Sequence, residues 1–250
     1  MNQPATIINA SLASAMRQKS TAVAERTPFD LVAEKARAGE LDDDQIFRLL
    51  GRLWVIKRMM YYVYGGWAQG LSVNEYPPSI DYLLSKQIYD DSTHEMLFMD
   101  EILRRGYARS QPKVFAHEYG TFMQASRCGH LIFTLRALAN YAHNLRISAL
   151  NLGAKVIELT WLERFGGAFE DPALSRLFGG LVAETESHIQ MGRFVVERFV
   201  HSDVDIDLAQ RLAEIVRRDY LAVLDEVAAF VLRVDSKQSN EIPEIPKGLD

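Results

Sequence analysis

The chain carries a single cysteine, Cys128, in 250 residues, so no internal disulfide can form and a reducing compartment, the cytoplasm, is the expected setting. Its opening, MNQPATIINASLASAMRQK, is interrupted by polar residues every few positions and lacks the charged-then-apolar order of a secretory leader. Long apolar runs are missing too. Stretches such as ALANYAH at 137–143 stop well short of the roughly 20 residues a bilayer span requires. Positive charge is not in excess: 28 Lys and Arg against 33 Asp and Glu leave a net charge of -5 and a pI near 5.7. That balance argues against the basic face that nucleic acid or an anionic membrane needs, and leaves small molecules or other proteins as the expected partners.

Proline is scarce between residues 41 and 234, occurring only at Pro77, Pro78, Pro112 and Pro172. Glycine clusters in pairs at 65–66, 166–167 and 179–180. Long proline-free runs favour long helices. The first, opening at LDDDQ, has apolar residues at 46, 49, 50, 53, 56, 60 and 63, a 3.6-residue rhythm that predicts a helix over 42–70. A second is predicted over 79–105, closed by Arg104, Arg105 and Gly106. A shorter amphipathic piece follows near 114–126, then one continuous helix over about 130–165, in which Gly153 costs about 1 kcal/mol relative to Ala. Asp171 and Pro172 start a fourth helix reaching about 200, and a fifth covers 205–234. No alternating β pattern persists.

With 48% apolar residues the chain can bury a sizeable core. The expected architecture is all-α: a four-helix bundle with one long crossover and an additional C-terminal helix. Residues 1–40 read as an N-terminal arm with a short helix near 29–38, 41–234 as the bundle domain, and 235–250 as an extended or disordered tail.

Two stretches carry chemistry. In QIYDDSTHEMLFMDEILRR, residues 87–105, Asp90, Asp91 and His94 fall within one helical turn, bracketed by Ile88, Met96, Leu97 and Met99. In GLVAETESHIQMGRFVV, Glu184 and His188 repeat the acid-x-x-x-His spacing of Asp90 and His94, which suggests a duplicated helical hairpin. Residues three and four apart share one side of a helix. If both turns face the bundle axis, their charges meet in a low-dielectric interior where a divalent pair would neutralise them. Carboxylate and imidazole ligands suit iron, manganese or zinc.

These turns resemble the ferritin-like di-metal carboxylate superfamily, with Asp91-x-x-His94 standing for the second-helix Glu-x-x-His. SKQIYDDSTHE and ETESHIQMGRF look most like the phenylacetyl-CoA epoxidase group. The resemblance spans roughly residues 45–200. It implies a ferritin-like bundle, two iron ions (or manganese) and an O2-dependent oxidoreductase acting on a small organic substrate by hydroxylation, epoxidation or N-oxygenation. Metal ligands would be Asp90, Asp91, His94, Glu158, Glu184 and His188. A reductase or partner subunit, and a homo- or hetero-oligomer, are implied as well.

The pattern departs from that superfamily at two points. Thr185 stands where a Glu three residues before His188 would be, and no acid occurs from Gln45 to Asn74. Folding the first hairpin about residue 75 puts Lys57, Met60 or Tyr61 opposite the His94 turn; Tyr61 is the candidate ligand or redox-active neighbour. Hairpin symmetry puts Asn151 nearer than Glu158 on the third helix. Two rival readings follow: a metal-free ferritin-like scaffold subunit that stabilises a catalytic partner, and a haem-oxygenase-like bundle with di-iron chemistry at an Asp-x-x-x-His turn. His143 and the methionines Met96, Met99 and Met191 are expected to be core.

Overall fold

Helix starts in this protein are set by side chains that satisfy the orphan N–H groups of a first turn. Asp42 accepts from the Gln45 amide at 2.8 Å, and the Gln45 side chain accepts from the Asp42 amide at 3.1 Å, a reciprocal cap. Asp171 caps the amide of Ala173 just before Pro172, Ser126 that of Gly129, and Ser202 that of Asp205. The computed structural model describes residues 3–24, 27–67, 77–114 and 126–234. These form α1 (Gln3–Ala24), α2 (Pro28–Arg37), α3 (Asp43–Gly65), α4 (Pro78–Arg104), α5 (Arg127–Ala137), α6 (His143–Ala149), α7 (Lys155–Gly166), α8 (Pro172–Gly180), α9 (Val182–Phe199) and α10 (Asp203–Leu232). Among the described residues there is no strand, and no helix is long and apolar enough to cross a membrane.

The all-α expectation holds. The starts of α3, α4 and α10 lie within two residues of those read from the sequence. The predicted piece at 114–126 falls, apart from its two end residues, outside the described residues, as does the tail at 235–250. The N-terminal 40 residues hold more than an arm with one short helix: α1 runs 22 residues and packs on α7 and α9. Its buried face is Leu12, Ala13, Met16, Ser20 and Ala24, mostly small residues with too weak an apolar rhythm to stand out in sequence.

Two helices expected to be continuous are broken. Instead of one helix over 130–165, α5 ends in a 3-10 turn at Leu138–Asn140, and Tyr141 is extended. The chain then runs through α6, a π turn at Leu150–Ala154 and α7. A π turn widens the backbone ring by one residue, and here Ser20 of α1 donates to the Leu152 carbonyl at 2.6 Å. The fourth helix breaks at Leu181, between α8 and α9. The paired glycines have a packing role there: a Cβ on Gly166 would lie 3.2 Å from the Gly179 Cα, so these residues allow α7 and α8 to cross closely.

Segments α3, α4, α6–α7 and α9 surround a common centre, and α10 packs along α3, α5, α6 and the π turn. At the contact of α9 with the π turn, a Cβ on Gly192 would meet the Asn151 Cβ at 2.6 Å. Gly192→Ala is therefore expected to destabilise the protein by about 1–3 kcal/mol in urea denaturation, although alanine is by about 1 kcal/mol the better helix former. A stabilised variant would show that α9 does not approach the π turn this closely.

Candidate functional site

The centre is built from residues at helical spacing on four segments. Lys57 comes from α3, Asp91 and His94 from α4, Lys155 and Glu158 from α7, and Thr185 from α9; all are buried. Lys57 Nζ donates to Asp91 Oδ1 at 3.0 Å, to His94 Nδ1 at 3.0 Å, and to Glu158 Oε1. Lys155 Nζ donates to both oxygens of Asp91 at 2.7 Å and to Glu158 Oε2 at 3.1 Å. An ammonium has three protons and no acceptor. Each lysine thus has its full complement of partners, and two positive charges balance two negative ones.

Further hydrogen bonds reach the two carboxylates. Tyr64 donates its hydroxyl to Asp91 Oδ2, and Thr185 donates to Glu158 Oε1 at 3.5 Å. Because Lys57 can only donate, His94 Nδ1 accepts. Its proton therefore lies on Nε2, which donates to Glu184 Oε2 at 2.6 Å. Beside the centre, Gln87 and Asn151 exchange two amide hydrogen bonds at 2.9 and 3.1 Å.

Electrostatics follow from this pairing. Burial pushes the Asp91 carboxyl up, but the ammoniums of Lys155 and Lys57 outweigh it and hold Asp91 well below the ordinary 3.8. Glu158 is likewise raised by burial and lowered more by the same two lysines, ending below 4.5. Burial lowers Lys57, yet Asp91 and Glu158 bring it above 10.5. Burial and the Asp91 charge push the Tyr64 phenol well above 10.0.

The acid-x-x-x-His repeat has a direct structural meaning. Helices α4 and α9 run antiparallel here, so the acid of each turn meets the histidine of the other. His94 pairs with Glu184, and His188 Nε2 lies 3.1 Å from Asp90 Oδ2. The imidazoles stand 6.4 Å apart between centroids. Lys86 also binds Asp90, at 2.5 Å, and burial leads the causes that lower His188 below 6.5. His188 Nδ1 is buried without a hydrogen-bond partner among the described residues.

The six expected ligands therefore divide. Asp91, His94 and Glu158 present ligand atoms within 4.8 Å of one another, a grouping able to hold a metal ion. Asp90, Glu184 and His188 belong to the cross-pairs. The donor set does not fit two divalent ions while Lys57 and Lys155 stand there, because the carboxylate oxygens facing the shared space already accept from ammoniums. Tyr61 is half-buried and lies against Tyr62, the ring centroids 5.7 Å apart and the planes inclined at 44°, with Glu95 near its hydroxyl; the tyrosine on Asp91 is Tyr64, seven residues after Lys57 on the same face. Met96 and Leu97 are exposed rather than core, whereas Met99 and Met191 are buried. His143 is a buried histidine hydrogen-bonded to the Trp67 carbonyl at 3.1 Å.

Glu184, bound to His94, reaches the protein surface. Its side chain is 41% exposed and lines a surface cleft of about 490 Å³ together with Thr93, Leu97, Arg104, Leu177 and Leu181. No protein-family profile, curated protein or solved structure matches the chain.

Lys155→Met would leave two buried carboxylates to one ammonium, and is expected to lose about 3–5 kcal/mol of unfolding free energy; a loss below 1 kcal/mol would show the lysine to be solvated. Asp91 and Glu158 have depressed folded-state pKa values, so their contribution is complete above the ordinary carboxylate range and falls away as pH drops through it and below. Lys57 is raised, so its contribution is complete below 10.5 and lost as pH climbs past that value. Urea midpoints measured across pH should form a plateau bounded by those limits.

Proposed function

We propose that this chain is a metal-free helical subunit of ferritin-like organisation, which binds and stabilises a catalytic partner instead of carrying out O2 chemistry itself. One observation carries the reading: the Nζ atoms of Lys57 and Lys155 stand between Asp91, His94 and Glu158 and supply the positive charge that a di-metal centre would supply. A dication entering there would face two ammoniums at close range and would have to compete with six donated protons. The absence of any acid from Gln45 to Asn74 points the same way, because Lys57 occupies the position at which the resemblance calls for a carboxylate.

The di-iron oxygenase reading keeps one point in its favour, the 4.8 Å grouping of Asp91, His94 and Glu158. Elemental analysis separates the two. Protein purified from cells grown with added iron and manganese is expected to hold far less than one metal ion per chain, with thermal unfolding insensitive to chelator. Two irons per chain would overturn the proposal. The double variant Lys57→Glu/Lys155→Ala restores a first-helix carboxylate and removes both ammoniums, and Mn2+ is expected to raise the melting temperature of that variant alone.

A further inference from the structure

The outer face of α4 bears three large side chains one heptad apart: Tyr82, Tyr89 and Met96, which are 67%, 69% and 59% exposed. Between them lie Ser85 and Ser92. The five positions follow the three-and-four spacing of a seam that packs against another helix, and none is charged. Solvated helix faces are normally charged, and an apolar stripe of this length on a water-exposed helix marks an interaction site. On α3, Tyr62 is 66% exposed. Arg58, which binds Glu95 of α4, lies over the Tyr62 ring and ties this residue to the same side of the hairpin.

We infer that this face is the contact between two copies of the chain, packed with their α4 helices antiparallel about a two-fold axis near Gln87. Steric complementarity selects the second copy. In an antiparallel pairing centred there, Tyr82 falls opposite Ser92 of the partner and Tyr89 opposite its Ser85, so both tyrosines meet a small side chain, while Met96 falls opposite Pro78 at the start of the partner's helix. The polar groups on the face tolerate loss of water: the Ser92 and Thr93 hydroxyls both donate to the Tyr89 carbonyl, at 2.8 and 3.0 Å, and Lys86 is held by Asp90. Aromatic side chains bury about 150–250 Å² each, so Tyr62, Tyr82, Tyr89 and Met96 offer on the order of 500 Å² per chain. Two copies would bury about 1,000 Å², the threshold for a specific interface. The inference is independent of whether the centre holds metal.

Sedimentation equilibrium of the full chain at micromolar concentration tests it. The expected mass is that of two chains, and Tyr89→Arg, which puts a charge on both sides of the seam, is expected to weaken association at least tenfold with unchanged helical content. Ser85→Tyr discriminates further: it adds apolar surface, which would strengthen indiscriminate sticking, but it fills the space required by the partner's Tyr89 and is expected to weaken the dimer. Tyr82→Cys/Ser92→Cys is expected to form disulfides between chains on oxidation, with Cys128 buried and out of reach. A monomer at these concentrations, a dimer indifferent to Tyr89→Arg, or a dimer tightened by Ser85→Tyr would overturn the inference; the first of these would assign the face to a different protein.

Discussion

Four opposite charges placed at the centre of a helical bundle govern this structure. Each ion carries a desolvation cost of several kcal/mol, which is offset only when attraction and hydrogen bonding are nearly complete. Asp91 and Glu158 meet that condition through Lys57 and Lys155, whose six protons are all donated. The arrangement requires α3, α4 and α7 to hold one mutual register, because a shift of one residue in any of them would leave a charge without its partner. A purely apolar centre would tolerate such a shift at smaller cost. Thr185 and Tyr64 extend the constraint to α9 and the end of α3.

Around this centre lies a second layer of pairing. The two acid-x-x-x-His turns engage each other reciprocally, fixing α4 against α9 at two points four residues apart. One pair, Asp90 with His188, is backed by Lys86. The other, His94 with Glu184, reaches the surface cleft. Hydrogen bonds therefore run without interruption from a half-exposed carboxylate through an imidazole of defined tautomer to a buried ammonium.

Much of the fold could be read from proline spacing and apolar rhythm, because those signals act within single helices. The starts of α3, α4 and α10 were legible for that reason. Breaks at Leu138–Asn140, Leu150–Ala154 and Leu181 were not, since they depend on contacts with distant partners such as Ser20 of α1. At the site, the two turns were visible as repeated spacing, but a repeat alone does not distinguish a shared metal from cross-pairing. Hairpin symmetry put Lys57, Met60 or Tyr61 opposite the His94 turn without choosing Lys57 among them; the need of the buried Asp91 for a counter-charge was the missing information. Lys155 offered a signal that could have been used: a lysine inside the apolar run LNLGAKVIELTWL, three residues before an acid, has to find a buried counter-charge.

The π turn at Leu150–Ala154 is equivalent to one extra residue spliced into a helix. Each residue turns a helix by about 100°, so α6 and α7 are out of phase by that angle. Asn144, whose side chain donates to the Phe199 carbonyl at 2.7 Å, and Lys155 with Glu158 can therefore serve different neighbours from one nearly continuous rod. Excising a single residue from that segment would preserve every helix and still rotate the lysine–glutamate pair away from Asp91, leaving that carboxylate with Lys57 as its one ammonium.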